Sequence, residues 1–113
     1  MKQSKPKQKI LESDIENTLR TRVEELDGLY YKFVSPQHNG VPDRIVICRG
    51  GVYFVELKRP GEKPRLLQQR VHLMMRRRGA HVITISSFEE IELFFNYLKK
   101  QRNRKSTLTL TGK

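Results

Sequence analysis

Two acids and a lysine near the middle of the chain stand at spacings that suit metal-assisted chemistry. If Val52 to Lys58 is a strand, its side chains alternate, so Val52, Phe54, Glu56 and Lys58 share one side while Tyr53, Val55 and Leu57 share the other. A carboxylate and an ammonium then project in parallel from the strand's end. Asp43 opens the preceding run, Arg44-Ile45-Val46-Ile47-Cys48, and a hairpin through Arg49-Gly50-Gly51 carries it across from that end. Asp43 and Glu56 would hold a hard divalent cation such as Mg²⁺, which polarises a phosphate oxygen and acidifies a bound water. Lys58 would position that water or steady the developing charge. Such a group suits hydrolysis of a phosphodiester.

Each residue also has a plainer reading. A Glu-x-Lys on a strand is a common solvated pair, and an acid after Pro42 is a frequent turn carboxylate. The ordered set tips the balance: Gly40-Val41-Pro42-Asp43, a tight hairpin, then Glu56-Leu57-Lys58. Glu56 also follows the apolar run Val52 to Val55, where an unneeded charge would be costly.

The elements that must position these groups are legible in outline. Ser13 and Glu16 have the S-x-x-E form of a capping box. Behind them Ile15, Leu19, Val23 and Leu26 recur at helical spacing until Asp27-Gly28. Leu29 to Val34 is rich in strand formers, and Ser35 to Pro42, with Ser35 and His38, is loop-like. After the hairpin, Pro60 to Pro64 breaks regular structure. Leu67 to Arg78 predicts a second helix with Leu67, Val71 and Met74 or Met75 on its buried face, stopped at Gly79. On it Gln68 lies off that face, free to be an exposed polar residue or to face the acids, and His72 reads as a surface histidine. His81 to Ser86 is a further strand. Ser87 and Glu90 repeat the capping form ahead of Ile91, Phe94, Phe95 and Leu98. The order α-β-β-β-α-β-α predicts an α/β fold with a mixed sheet flanked by helices.

The 113 residues suit one compact domain, and 23 Lys+Arg against 12 Asp+Glu give a net charge of +11. Residues 1–9 hold four lysines and no acid, and residues 99–113 hold six bases and no acid. The remaining 13 bases and all 12 acids lie between, so a nearly neutral globule (10–98) carries two basic tails. From Lys58 to Arg78 eight bases face the single Glu62, and one side of the fold is expected to be positive. Arg65, Arg76, Arg77, Arg78, Lys99 and Lys100 are the candidate phosphate contacts, which predicts salt-dependent binding. The single Cys48, expected in the core, excludes an internal disulfide framework. The three histidines lack zinc-finger spacing, and neither a leader nor a spanning segment is recognisable. A cytoplasmic protein with no membrane partner is expected.

In order along the chain, the first-helix Glu16, Val34-Ser35-Pro36 leading to Gly40-Val41-Pro42-Asp43, Phe54-Val55-Glu56-Leu57-Lys58 and Leu67-Gln68 resemble the VRR-NUC domain. That domain is the virus-type replication and repair branch of the PD-(D/E)XK nucleases, and the likeness covers about residues 12–98. It implies a restriction-endonuclease-like core with Asp43 and Glu56 as metal-binding acids, the Leu57 backbone carbonyl as a further ligand and Lys58 as the catalytic lysine. Glu16 matches the first-helix acid and would join the metal set, in competition with its capping role. Gln68 matches the glutamine after the core hairpin. The resemblance further implies an Mg²⁺- or Mn²⁺-dependent endonuclease on branched DNA such as Holliday junctions, in replication, repair or recombination. Stand-alone members act as homodimers, which a short chain with one site would need to nick a junction symmetrically. Ile91, Phe94, Phe95 and Leu98 on the third helix could serve a dimer surface, with packing on the sheet as the default explanation. The rival expectation is a non-catalytic nucleic-acid-binding module on the same fold, which accounts for the bases but not for three acids among them. A ribosomal-type RNA-binding protein fits the charge alone.

Overall fold

The computed structural model describes residues 9–110. Seven elements follow in order: α1 (Glu12–Glu25), β1 (Leu29–Lys32), β2 (Arg44–Cys48), β3 (Gly51–Leu57), α2 (Leu66–Arg77), β4 (His81–Ile85) and α3 (Phe88–Lys99). The strands form one sheet in the order β1-β2-β3-β4. The first three are antiparallel, and α2 is the crossover that brings β4 parallel to β3. This is the mixed α/β architecture expected from the sequence. The N-terminal basic segment lies outside the described residues except for Lys9. At the other end α3 runs to Lys99, so the expected C-terminal tail begins on a helix.

Alternation along the strands sorts the residues into two layers. Val46, Cys48, Tyr53, Val55, Leu57 and Ile85 point to one face, where α1 packs Ile15, Leu19 and Val23 and α3 packs Ile91, Phe94 and Leu98. Cys48 is in this core, as expected, and burial pushes its thiol up. Helix α2 lies towards β4 and is covered differently. Only His72 is fully buried, whereas Leu67 and Met74 are exposed and Val71 and Met75 half-buried. The expectation of a surface His72 over a core Leu67 is thus reversed. An apolar stripe on a short helix marks the sheet-facing side only where the sheet extends beneath it, and α2 sits at the edge.

Two helix starts differ in an instructive way. α1 begins at Glu12 with Leu11 in the cap position, and the Leu11 N–H donates to Asp14 Oδ2 at 2.8 Å. The capping box predicted for Ser13 and Glu16 is therefore not formed. Ser13 lies inside the helix, and Glu16 is released for other partners. At α3 the prediction holds: Ser87 Oγ accepts from the Glu90 N–H at 3.1 Å. The β2–β3 hairpin turns on two residues, since Cys48 pairs with Gly51, one residue earlier than predicted. Both turn residues have positive φ, Arg49 at 49° and Gly50 at 83°, the type I′ pattern that matches strand twist. The non-glycine residue is held there by Arg49 Nη1, which donates to the Lys99 carbonyl at 2.7 Å.

Candidate active site

The β2–β3 ladder sets the chemistry at the end of the sheet away from that turn. Arg44 pairs with Val55, and continuing the register by one residue sets Asp43 opposite Glu56, on the same face. One step further Leu57 would face Pro42, which has no N–H to give to the Leu57 carbonyl. The Pro-Asp dipeptide thus ends the ladder and places a carboxylate at that point. The preceding loop is seated on α2. Gly40 has φ +88°, and a Cβ there would come within 3.0 Å of Val71 Cγ2 and 3.2 Å of the Leu67 carbonyl oxygen. This close approach ties Asp43 to the start of α2.

Glu56 is 6% exposed. Burial pushes its carboxyl up to about 7. The Lys58 ammonium pulls it down, while Asp43 and Glu12 push it further up. Gln68 Nε2 donates to Glu56 Oε1, and Gln68 Oε1 in turn accepts from the Arg65 N–H at 2.8 Å. The glutamine is fixed at both ends of its amide by the first turn of α2. The structure therefore brings Gln68 against Glu56, with Asp43 in register opposite and Lys58 one residue beyond β3.

Glu16 meets these residues through a group that sequence reasoning treated only as the opening of a strand. Arg44 is 4% exposed and faces α1. Its Nε donates to Glu16 Oε2 and its Nη1 pairs with Asp43 Oδ1 at 2.6 Å, while the Tyr30 hydroxyl donates to the same Glu16 oxygen at 3.0 Å. Burial raises the Glu16 carboxyl, but the hydrogen bonds from Arg44 and Tyr30 outweigh it and leave the group below its ordinary value. Burial also works against the Arg44 charge, and Glu16 and Asp43 more than offset it. A signal was present: Arg44 is two and four residues from Val46 and Cys48, so alternation alone assigns it to the core side, where an arginine requires an acid.

Among the described residues no three His, Cys, Asp or Glu side chains come together closely enough to hold a metal ion. Asp43, Glu56 and the Leu57 carbonyl are the groups that could hold one, a set that would suit Mg²⁺ or Mn²⁺: Mg²⁺ is commonly held by one or two carboxylates and keeps several waters. His72, four residues after Gln68, is buried with its Nε2 unpartnered, and burial lowers its pKa, aided by Arg76 and Lys58.

The candidate phosphate contacts are dispersed. Arg65 caps α2 near Gln68, whereas Arg76, Arg77 and Arg78 lie at its other end, about 18 Å away by helix rise. Arg76 donates from Nε and Nη2 to the Val82 carbonyl, and Arg78 Nη1 donates to the Met74 carbonyl at 3.0 Å. The Lys99 ammonium lies 4.8 Å from the Phe95 ring centre, and Lys100 caps α3.

No protein-family model matches this sequence. It is 46% identical over 79 residues to "Putative nuclease p44" of Acyrthosiphon pisum secondary endosymbiont phage 1, a match covering 69% of this chain and 85% of that protein. A solved structure described as a VRR_NUC domain superposes with a TM-score of 0.71 at 34% identity, covering 76% of this chain and 95% of its own. Both comparisons agree with the family resemblance and with the mixed sheet, and the chain belongs to the VRR-NUC family of nucleases.

Proposed function

We propose that this nuclease is a divalent-metal-dependent DNA endonuclease whose site is built on Asp43, Glu56, the Leu57 carbonyl and Lys58. One observation carries the reading: a buried glutamate faces a second carboxylate in register, and burial and like charge keep it protonated to about pH 7. Such a pair is costly alone and favourable around a cation. Mg²⁺ or Mn²⁺, when bound, would polarise a phosphate oxygen and acidify a water. Gln68 orients the Glu56 carboxylate, and Lys58 holds the attacking water or the charge that develops on the phosphate. Glu16, the third acid of the expected set, is engaged by Arg44 and Tyr30 and acts through Arg44 on Asp43. Arg65 is best placed to take a phosphate beside the site. Branched DNA is the proposed substrate, acted on in a host cytoplasm; among the described residues no helix is long and apolar enough to cross a membrane.

Pairing of two copies would supply the second site a junction needs. The α3 residues Ile91, Phe94, Phe95 and Leu98 are buried in the core, so they do not offer the surface. The uncovered apolar rows are on the sheet instead. Leu29, Ile47 and Val52 stand side by side and exposed, on the same face as Asp43 and Glu56. A twofold contact there would set two sites near one another.

The test is cleavage of labelled four-way junctions, flaps, duplex and single strands with Mg²⁺ or Mn²⁺. Glu56→Gln and Lys58→Ala should each cost about 10²-fold or more, and chelation should abolish cutting. Cleavage that survives both substitutions removes this mechanism. Sedimentation of the wild type and Ile47→Glu at the same concentration tests the twofold contact.

A further inference from the structure

At the hairpin end of the sheet, on the face opposite Glu56, two adjoining cavities share Tyr53, His81 and Tyr97. The larger, about 340 Å³, is closed by these rings together with Phe94, Ala80 and Ile83. This volume falls within the about 300–1,000 Å³ of small-ligand sites. The smaller, about 160 Å³, is bordered by Arg49, Arg102 and Arg104, and no acid lines either one. Tyr53 supports the rings from beneath, with centroids 5.4 Å from His81, 6.1 Å from Tyr97 and 5.3 Å from Phe94. Tyr97 is 45% exposed and His81 is also accessible, so both present ring surface to a ligand.

The arginines are placed by the chain after α3, which crosses the hairpin turn instead of leaving the fold. A Cβ on Gly50 would lie 2.9 Å from Arg104 Cβ and 3.4 Å from the Arg102 carbonyl oxygen. The Arg49 bond to Lys99 ties the same turn to the end of α3. A ring-walled cavity opening onto clustered guanidinium groups combines the two halves of nucleotide recognition: stacking for the base and charge-assisted hydrogen bonds for the phosphate.

We propose that this groove binds an unpaired nucleotide of a nucleic-acid strand, its base against Tyr97 and His81 and its phosphate against Arg102, Arg104 and Arg49. It is separate from the cutting site. Six steps along β3 divide the turn from Leu57, about 20 Å at strand rise, and the groove and Glu56 are on opposite faces. A single strand leaving a branch point would be held here while a bond is cut elsewhere.

The test is anisotropy of a short fluorescein-labelled oligothymidine with the full chain in chelator, where no cleavage contributes and failure of the metal mechanism cannot affect the result. Tyr97→Ala should weaken binding about tenfold, while Tyr97→Phe, which keeps the ring, should bind like wild type. Arg102→Ala with Arg104→Ala should lower the slope of log affinity against log salt by about one to two. Arg70→Ala, an exposed base on α2 outside the groove, should change the slope less. Displacement by thymidine monophosphate that requires Tyr97 supports a nucleotide site and shows that a free nucleotide can fill it. Oligothymidine binding that Tyr97→Ala leaves unchanged, or displacement by inorganic phosphate but not by the nucleotide, overturns the proposal.

Discussion

The two faces of the sheet are packed on opposite principles. Against α1 and α3 the strands bury Ile15, Leu19, Val46, Val55, Ile91 and Leu98 in a continuous apolar layer. Its charged intruder, Arg44, arrives with Glu16 bonded to it and Tyr30 bonded in turn to Glu16. Against α2 the buried groups are Glu56, His72 and the single apolar Val82, with Gln68 beside them and leucines turned outward. One face supplies the stability that lets the other hold a carboxylate out of water. Fold and chemistry are thus separated across a single layer of backbone, and substitutions on the two faces should fail differently.

The largest effect is expected where the two faces meet. Arg44→Ala strands Glu16 part-buried beside Tyr30 and frees Asp43, so it should cost about 3–5 kcal/mol. Denaturant midpoints measure it, and Arg44→Ala combined with Glu16→Gln should recover part of the loss. If the double variant is no more stable than the single one, the pair is not coupled. Next, Ile91→Ala should cost about 2–5 kcal/mol, while Leu73→Ala on the exposed side of α2 should cost under about 1 kcal/mol. Equal losses would mean that the faces do not differ as described.

How much of this was readable in advance follows the same division. The apolar face was legible because it obeys periodicity: Ile15-Leu19-Val23 and Ile91-Phe94-Phe95-Leu98 announce their helices, and Val46, Cys48, Val55 and Leu57 announce the strands. Asp43, Glu56 and Lys58 were legible as a set through alternation and hairpin register, and the structure adds that Gln68 touches Glu56. What periodicity does not encode is which polar group meets which. Leu11 and Asp14 cap α1 without the usual cap residue, so the capping form of Ser13 and Glu16 goes unused. Arg44 was passed over because its partner lies 28 residues earlier on another element. α2 misled for a related reason: its apolar stripe is real, but only a sheet edge lies beneath it.

The chemical face should reveal itself through pH. The Glu56 carboxyl is raised in the folded chain to about 7, from an ordinary 4.5, so its contribution is fully present below pH 4.5 and lost as pH rises through about 7. The difference corresponds to about 3 kcal/mol. In chelator, wild type should therefore lose stability between pH 5 and pH 8, and Mg²⁺ should restore part of it. Glu56→Gln, whose amide oxygen can still accept from Gln68, should lose this decline towards pH 8 and gain nothing from Mg²⁺. A wild type with the same pH profile as Glu56→Gln would show that Glu56 ionises without cost.

His72 gives the smallest and oppositely signed effect. Its pKa is lowered by burial, with Arg76 and Lys58 adding repulsion, so its contribution is present above the ordinary value of 6.5 and lost as pH falls below it. His72→Leu removes both that acid-side loss and the unpartnered Nε2, while keeping an apolar body beneath α2. The variant should be within about 1 kcal/mol of wild type at pH 8 and more stable than it at pH 5. Combining it with Glu56→Gln should remove most of the pH dependence in chelator between pH 5 and pH 8, since the two groups titrate in opposite senses across that range. If His72→Leu instead loses more than about 2 kcal/mol at pH 8, Nε2 is bonded in solution, and a buried water beside Gln68 extends the polar network of this face.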